Sequence, residues 1–488
     1  MWIVNISDAS QASKLIHELQ RIALEAEHPE PLFISIDQEN GMLKGIWDSE
    51  NISQFPGMMG LAATKSEEIV YGVGRATAEE LRCIGFNFLL GPVVDVLCNP
   101  QNTLLGVRTF GRNPGEVAKI SSTYVKGICD GGLGCSGKHF PGYGNAYIDS
   151  FSTFPLLLES EEQLENTGLV PFKTLIKENI PAILVGGGII AEMSEGGQNA
   201  CLSHRVVTGL LREKLGYSGV VISQCLAMEF VRDLIGMSNA VIQASHAGCD
   251  VMLICHGPGF QLDAIQTLIQ TGKADNTVAV LHKASADKVR RLKQTIVGGW
   301  NNVHSLSQTL SNINELKLSH DALSFAAYSK SITLVRDSMN LVPLHRVLNS
   351  QQRILLLTPL ILAPFLENED SDVDEDVLLP GESVFRKFAK CLTLRHPNVM
   401  HTSYTDNGLS DEHESLLSRA ALVILVTADT NRSRYQVGFA KHVAAVCREK
   451  KLHYIIISVS NPYQLEHDTG MGTFFFPKKG RGDVENQC

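Results

Sequence analysis

The stretch Gly219-Val220-Val221-Ile222-Ser223-Gln224-Cys225-Leu226-Ala227-Met228 decides the fold class of this chain. Its apolar, β-branched start reads as a buried strand, and a helical pattern resumes soon after its end. Between the two lies a polar residue, Gln224. In a barrel of alternating strands and helices, the C-terminal end of a strand is where catalytic groups sit. The residue delivered there is an amide. It can hydrogen-bond a ligand, but it cannot act as a carboxylate nucleophile or base.

Outward from that strand, about the first 340 residues alternate short apolar runs with longer amphipathic stretches, as βα units do. The expected strands are Leu32–Ile36, Phe86–Leu90, Gly134–Lys138, Ala182–Val185, Val220–Ser223 and Val251–Ile254. Helices are expected between them at Ala9–Glu25, Glu67–Ile84, Pro114–Asp130, Thr208–Lys214 and Leu262–Thr271. This pattern fits a (β/α) barrel better than an open sheet. A helical stretch over Ala274–Lys330 follows, with Ser319-His320-Asp321 as a cap. Further strands at Ser331–Arg336, Ile354–Leu357, Ala421–Val426 and Tyr454–Val459 indicate a second α/β unit of doubly wound character, with helices near Glu382–Cys391 and Gln436–Lys450. The acidic run Glu367–Asp376 reads as a solvated loop.

Composition narrows the function. The chain has 488 residues, 44% hydrophobic and 19% charged, which describes a globular protein of two or more domains. A formal charge of −10, without clustered Lys and Arg, gives no footprint for nucleic acid. The eleven cysteines are scattered, form no CxxC pair and fall mostly in apolar runs. That argues against a disulfide framework or a zinc site, and no cofactor or metal is expected. The N-terminus carries no basic and apolar secretory pattern, and no run of about 18 apolar residues occurs. A cytoplasmic protein without a membrane partner is therefore expected, and the Asn51-Ile52-Ser53 sequon carries no weight.

Four motifs fall at or after expected strand ends: Ile36-Asp37-Gln38-Glu39-Asn40-Gly41; Gly91-Pro92-Val93-Val94-Asp95 leading to Gly106-Val107-Arg108-Thr109-Phe110-Gly111; Gly137-Lys138-His139-Phe140-Pro141-Gly142-Tyr143-Gly144-Asn145; and the opening segment. Singly, each has a bland reading: Asp37 as a turn cap, Arg108 as a surface residue, Lys138-His139 as structure. Together they set a carboxylate, a guanidinium, an ammonium and an imidazole around one barrel mouth. Asp37 and Arg108 could each fork onto vicinal hydroxyls while Lys138 and His139 donate to others, which suits a polyhydroxylated ligand. Gly186-Gly187-Gly188 lacks the Lys and Ser/Thr of a phosphate loop and reads as close backbone approach at the rim.

On these motifs, in this order, the chain resembles glycoside hydrolase family 3, in its β-N-acetylglucosaminidase (β-N-acetylhexosaminidase) branch; the Asp-Gln-Glu-Asn-Gly and Tyr-Gly-Asn variants look like those of fungal members. The resemblance implies hydrolysis of terminal β-linked N-acetylglucosamine with retention, through a covalent glycosyl-enzyme. It implies that Asp37, Arg108, Lys138 and His139 hold the non-reducing sugar and that the nucleophile belongs at Gln224. It also implies a fold: a TIM-type (β/α) barrel lacking its first strand at 1–318, a linker at 319–336, and a doubly wound α/β domain at 337–488. That second domain is expected to be truncated at its C-terminus, with an atypical tail from about residue 470.

The departures bear on function. Gln224 is neutral, and losing a nucleophile costs several powers of ten in rate. Many bacterial relatives carry an acid/base His in an Asp-Ser-His tripeptide; here it is Asp149-Ser150-Phe151. His139 or Asp149 is then the candidate acid/base. Glu229 and Asp250 lie nearby in sequence without replacing the nucleophile, and Asn431-Arg432-Ser433-Arg434 is a polar loop of the second domain that could reach the site. Three readings follow: a weak or inactive hydrolase, a non-catalytic amino-sugar-binding pseudoenzyme, and a truncated gene product. The expected partner is a small carbohydrate ending in N-acetylglucosamine.

Overall fold

The computed structural model describes residues 6–41, 43–48, 50–102, 104–146, 155–193, 197–303, 306–360, 380–428, 435–459 and 473–475. They fall into two compact units that divide between Ser331 and Ile332. None of the described helices is long and apolar enough to cross a membrane.

The described strands of the first unit are β1 (Ser35–Ile36), β2 (Phe88–Leu89), β3 (Gly134–Phe140), β4 (Leu156–Leu157), β5 (Ala182–Val185), β6 (Ile189–Ile190), β7 (Val220–Cys225) and β8 (Val251–Leu253). Six of them, in the order β1-β2-β3-β5-β7-β8, make one parallel sheet, and β4 and β6 form a separate parallel pair. Sequential strands are spatial neighbours, as successive right-handed βα units demand. Among the described residues the sheet does not close on itself. It is a curled half-barrel with β1 and β8 at its ends, where the sequence led us to expect a barrel short of a single strand. One face is covered instead by the helix Asn276–Ile296. Its Val289, Leu292 and Ile296 pack on Phe88, Leu90, Ala182, Leu184, Val220 and Ile222.

Local chemistry sets the helix limits. Asp8 begins Ala9–Glu25 by accepting the Ser10 N–H, and Ser66 begins Glu67–Ile84 by accepting from Ile69. Asn113, followed by Pro114 at the first helical position, begins Pro114–Asp130. The last two helices approach so closely that a Cβ on Gly127 would lie 2.3 Å from the Tyr71 carbonyl oxygen. The helical stretch expected over 274–330 is two helices, Asn276–Ile296 and Leu306–Ser331. Ser319 does not cap: it lies inside the second helix, and its hydroxyl donates back to the Leu316 carbonyl at 2.6 Å. Residues 319–331 of the expected linker are thus helical.

The second unit contains β9 (Leu334–Arg336), β10 (Ile354–Pro359), β11 (Val399–Tyr404), β12 (Leu422–Thr427), β13 (His453–Ser458) and β14 (Thr473–Phe475), in the order β11-β10-β12-β13-β14-β9. All neighbours are parallel except β14 and β9. Residues 354–357 of β10 and all of β12 are buried on both faces, so they read as unbroken apolar runs. β11 went unanticipated. It lies at the end of the sheet, half-exposed, and its Val-Met-His-Thr-Ser-Tyr sequence needs no apolar run.

Candidate functional site

The C-terminal ends of β1, β3 and β7 bring the sequence candidates to one rim. Asp37 and Glu39 follow β1, Arg108 ends the turn Gly106–Arg108, Lys138 and His139 lie at the end of β3, and Gln224 is the penultimate residue of β7. Two cations and two anions interlock there. The Glu39 carboxylate accepts from Arg108 twice, Nε to Oε2 at 2.8 Å and Nη2 to Oε1 at 2.9 Å. Lys138 Nζ lies 2.8 Å from Glu39 Oε1 and donates to Asp37 Oδ1 at 2.6 Å. The Glu39 and Lys138 side chains are each only 5% exposed, while that of Asp37 is 34% exposed.

Burial of this kind penalises charge, so only mutual compensation keeps Glu39, Arg108 and Lys138 ionised. Burial works against the Glu39 carboxylate, but the Arg108 guanidinium and the Lys138 ammonium outweigh it and hold the acid far below the usual carboxylate range. Burial likewise opposes charge on Lys138, where Asp37 and Glu39 prevail, and on Arg108, where Glu39 does; both pKa values rise. The sequence reading gave Arg108 to a ligand. Its fork is instead turned onto Glu39, and Nη1 donates to the Leu104 carbonyl at 2.8 Å. Lys138 keeps the third of its three N–H donors beyond these two carboxylates.

The other half of the rim is a relay of neutral groups anchored on Asp95. That fully buried carboxylate binds His139 Nδ1 at 2.8 Å and accepts the Tyr143 N–H at 2.7 Å. The His139 ring stacks on Tyr143 with centroids 5.0 Å apart. Bonding to a carboxylate places the proton of neutral His139 on Nδ1 and leaves the Nε2 lone pair as an acceptor. Burial pushes the His139 pKa down, Asp95 opposes this, and the positive fields of Arg108 and Lys138 add to it, so the ring is below its ordinary value. A neutral imidazole of this tautomer can accept a proton at Nε2 but has none to give there.

Tyr143 in turn fixes Gln224. Its hydroxyl oxygen accepts the N–H groups of Gly187 and Gly188, the latter at 3.0 Å, and it donates to Gln224 Oε1 at 2.7 Å. Gln224 Nε2 lies 2.8 Å from Met228 Sδ. A Cβ on Gly187 would stand 2.6 Å from Gln224 Oε1, so only glycine permits this approach.

The rim therefore unites Asp37, Arg108, Lys138, His139 and Gln224, while Asp149, Phe151 and the loop 431–434 lie outside the described residues. Asp250 is not part of it: it binds Arg212 at 2.7 Å and Lys288 at 3.2 Å. Glu39, Asp95 and Tyr143 were each inside a motif but not singled out. A signal existed for Asp95, a lone carboxylate in an apolar run that must find partners when buried. Among the described residues no group of three or more His, Cys, Asp and Glu could hold a metal ion.

Residues 2–292 match the model of the glycosyl hydrolase family 3 N terminal domain. Among curated relatives, a Beta-hexosaminidase A of Pseudoalteromonas piscicida is 31% identical over 268 residues, 52% of this chain and 45% of that protein. A Beta-hexosaminidase of Idiomarina loihiensis is 28% identical over 298 residues, 60% of this chain and 87% of its own length. Among solved structures, a fungal multi-domain GH3 beta-N-acetylglucosaminidase with a GCN5-related glucosamine N-acetyltransferase region superposes with a TM-score of 0.84 at 28% identity, over 97% of this chain and 53% of that one. A glycoside hydrolase family 3 beta-N-acetylglucosaminidase from a Paenibacillus strain gives 0.80 at 27% identity, covering 97% and 87%. The chain thus spans about half the length of the first relative and of the fungal structure.

Proposed function

The chain belongs to glycosyl hydrolase family 3, and from that premise we propose that its first unit grips the non-reducing N-acetylglucosamine of a β-linked saccharide and cleaves it weakly or not at all. Asp37, Lys138 and His139 are the gripping residues in this reading, Arg108 holds Glu39 beside Lys138, and Gln224 occupies the place of the nucleophile. The names of the relatives, beta-hexosaminidases and beta-N-acetylglucosaminidases, support the sugar class.

The observation that carries the reading is the amide at the end of β7. Retaining hydrolysis needs a carboxylate to attack the anomeric carbon. An amide oxygen is uncharged, and that of Gln224 already receives the Tyr143 proton. Binding asks less of the site. Half-buried Asp37 accepts a hydroxyl proton, Lys138 offers its remaining N–H, and His139 Nε2 accepts another hydroxyl. The internal compensation of the charged cluster suits a neutral sugar, because no counter-ion has to accompany it.

Two measurements test this. Calorimetry with N-acetylglucosamine is expected to give binding heat in the millimolar range; its absence removes the gripping site. Release of the leaving group from an aryl β-N-acetylglucosaminide is expected to be far slower than for the Gln224→Asp variant. Equal rates would overturn the role given to Gln224. We also read the second unit as a doubly wound domain, with the domain boundary within 319–336. Its β11-β10-β12-β13-β14 order, that of flavodoxin-like sheets, supports this.

A further inference from the structure

Beside Gln224 the rim carries a pair of thiols that the sugar site does not use. Cys225 is the last residue of β7, and Cys255 comes two residues after the end of the neighbouring β8. The strands are parallel there, with Cys225 opposite Leu253 after a shift in register. Parallel ends of this kind put both side chains on the same rim. The Cys255 N–H donates to Cys225 Sγ at 3.2 Å, which sets the two cysteines side by side on neighbouring strand ends. Both are half-buried, whereas most other cysteines of the first unit are buried. We propose that Cys225 and Cys255 are an oxidation site, in which a hydroperoxide converts the two thiols into a disulfide that ties the end of β7 to the segment after β8.

The arrangement assigns the roles. A sulfur that accepts a neighbouring thiol proton and a backbone N–H is stabilised as the anion, which is the nucleophilic form. The neighbouring Cys255 thiol, with help from backbone N–H groups and against burial, brings the Cys225 thiol down to about 6, while the Cys225 thiol and burial push Cys255 up. Cys225 is therefore the attacking sulfur and Cys255 the resolving one. The Cys225 thiolate attacks a peroxide oxygen; the O–O bond breaks, a sulfenic acid forms, and hydroxide leaves to take up the proton that Cys225 had released. The Cys255 sulfur then attacks the sulfenic sulfur, the S–S bond forms, and water leaves with the Cys255 proton. Two thiols lose two electrons in all, and hydrogen peroxide becomes two waters. This site does not rest on the sugar reading.

The test uses the full chain, reduced and then exposed to hydrogen peroxide, alkylated and mapped by mass spectrometry. The expected product is a cross-link between the peptides holding Cys225 and Cys255. The same map scores Cys129 and Cys135, whose sulfurs lie 3.9 Å apart at the opposite end of β3, as an internal comparison. Free Cys225 and Cys255 after treatment, with oxidation only elsewhere, would overturn the proposal. In Cys255→Ser, oxidation should stop at a Cys225 sulfenic acid that dimedone traps. In the unmodified protein at pH 7, iodoacetamide should take Cys225 about tenfold faster than exposed Cys391. Equal or slower reaction would deny Cys225 its attacking role.

Discussion

The two halves of the rim are built on opposite electrostatic plans. Around Glu39, the buried Arg108 and Lys138 and the half-buried Asp37 pair opposite charges, which hold Glu39, Arg108 and Lys138 ionised. Around Gln224, a tyrosine hydroxyl, an amide and a neutral imidazole are linked by single hydrogen bonds and ring stacking. The first plan resists change, because removing one partner strands a buried charge. The second tolerates change in charge at its tip, because the residue at 224 is held by two single bonds to uncharged partners, Tyr143 and Met228. In the proposed reading, gripping and bond-breaking would thus be separable on one rim.

The strongest way to break this comparison is to put charge into the neutral half. Gln224→Asp should raise the rate on an aryl β-N-acetylglucosaminide with a good leaving group by about 10³-fold or more, equivalent to ~4 kcal/mol of barrier, since such a substrate needs little acid assistance. An unchanged rate would remove the distinction between the halves. Next comes taking charge out of the other half. Glu39→Gln leaves Arg108 and Lys138 without the carboxylate they share and should destabilise the first unit by about 3 kcal/mol in denaturant unfolding. The sign in acid follows from the depressed Glu39 pKa. Its contribution is fully present above the unfolded value of 4.5 and is lost as pH falls from there toward the folded value. The wild-type midpoint should therefore fall more steeply than that of Glu39→Gln below pH 4.5.

A smaller loss, about 2 kcal/mol, is expected for Tyr143→Phe, which leaves the Gly187 and Gly188 N–H groups without their acceptor. If its thermal midpoint matched that of wild type, the relay would be packing alone. Finer still is a pH contrast between two histidines. His139 is held neutral, so its contribution is present above the unfolded pKa of 6.5 and fades below it. Burial acts against charge on His320, but Glu80 and Glu79 raise its pKa, so its contribution is present below 6.5 and fades as pH rises through the raised value. His139→Gln should thus flatten the rise of the midpoint between about pH 5 and 7, and His320→Gln should steepen it; the reverse pattern would refute both assignments.

Much of this molecule was legible because burial and periodicity write themselves into sequence. The helices Ala9–Glu25, Glu67–Ile84 and Pro114–Asp130 lie where the helical patterns of the sequence put them. β5 and residues 354–357 and 422–426 of β10 and β12, buried in their sheets, are continuous apolar runs. What escaped has physical reasons. β11 sits at a sheet end and needs no apolar run, and β4 and β6 are too short for any period to register. Whether a curled sheet closes depends on partners beyond its own strands, and no single strand records that. At the site, Arg108 looked like a ligand fork because its true partner, Glu39, was one more acid in a polar motif. Tyr143, flanked by glycines, looked like a turn, because its role depends on backbone N–H groups more than forty residues away.

The Tyr143 hydroxyl has one further consequence. With both glycine N–H groups on its oxygen, its proton can only be given away, so the socket at 224 accepts Gln, Glu or a water-bridged Asp but no donor. Every glutamine codon becomes a glutamate codon by exchange of its first base. A carboxylate is therefore a single nucleotide away from a socket already shaped to hold it, and a population of this gene could be screened for that variant without designing one.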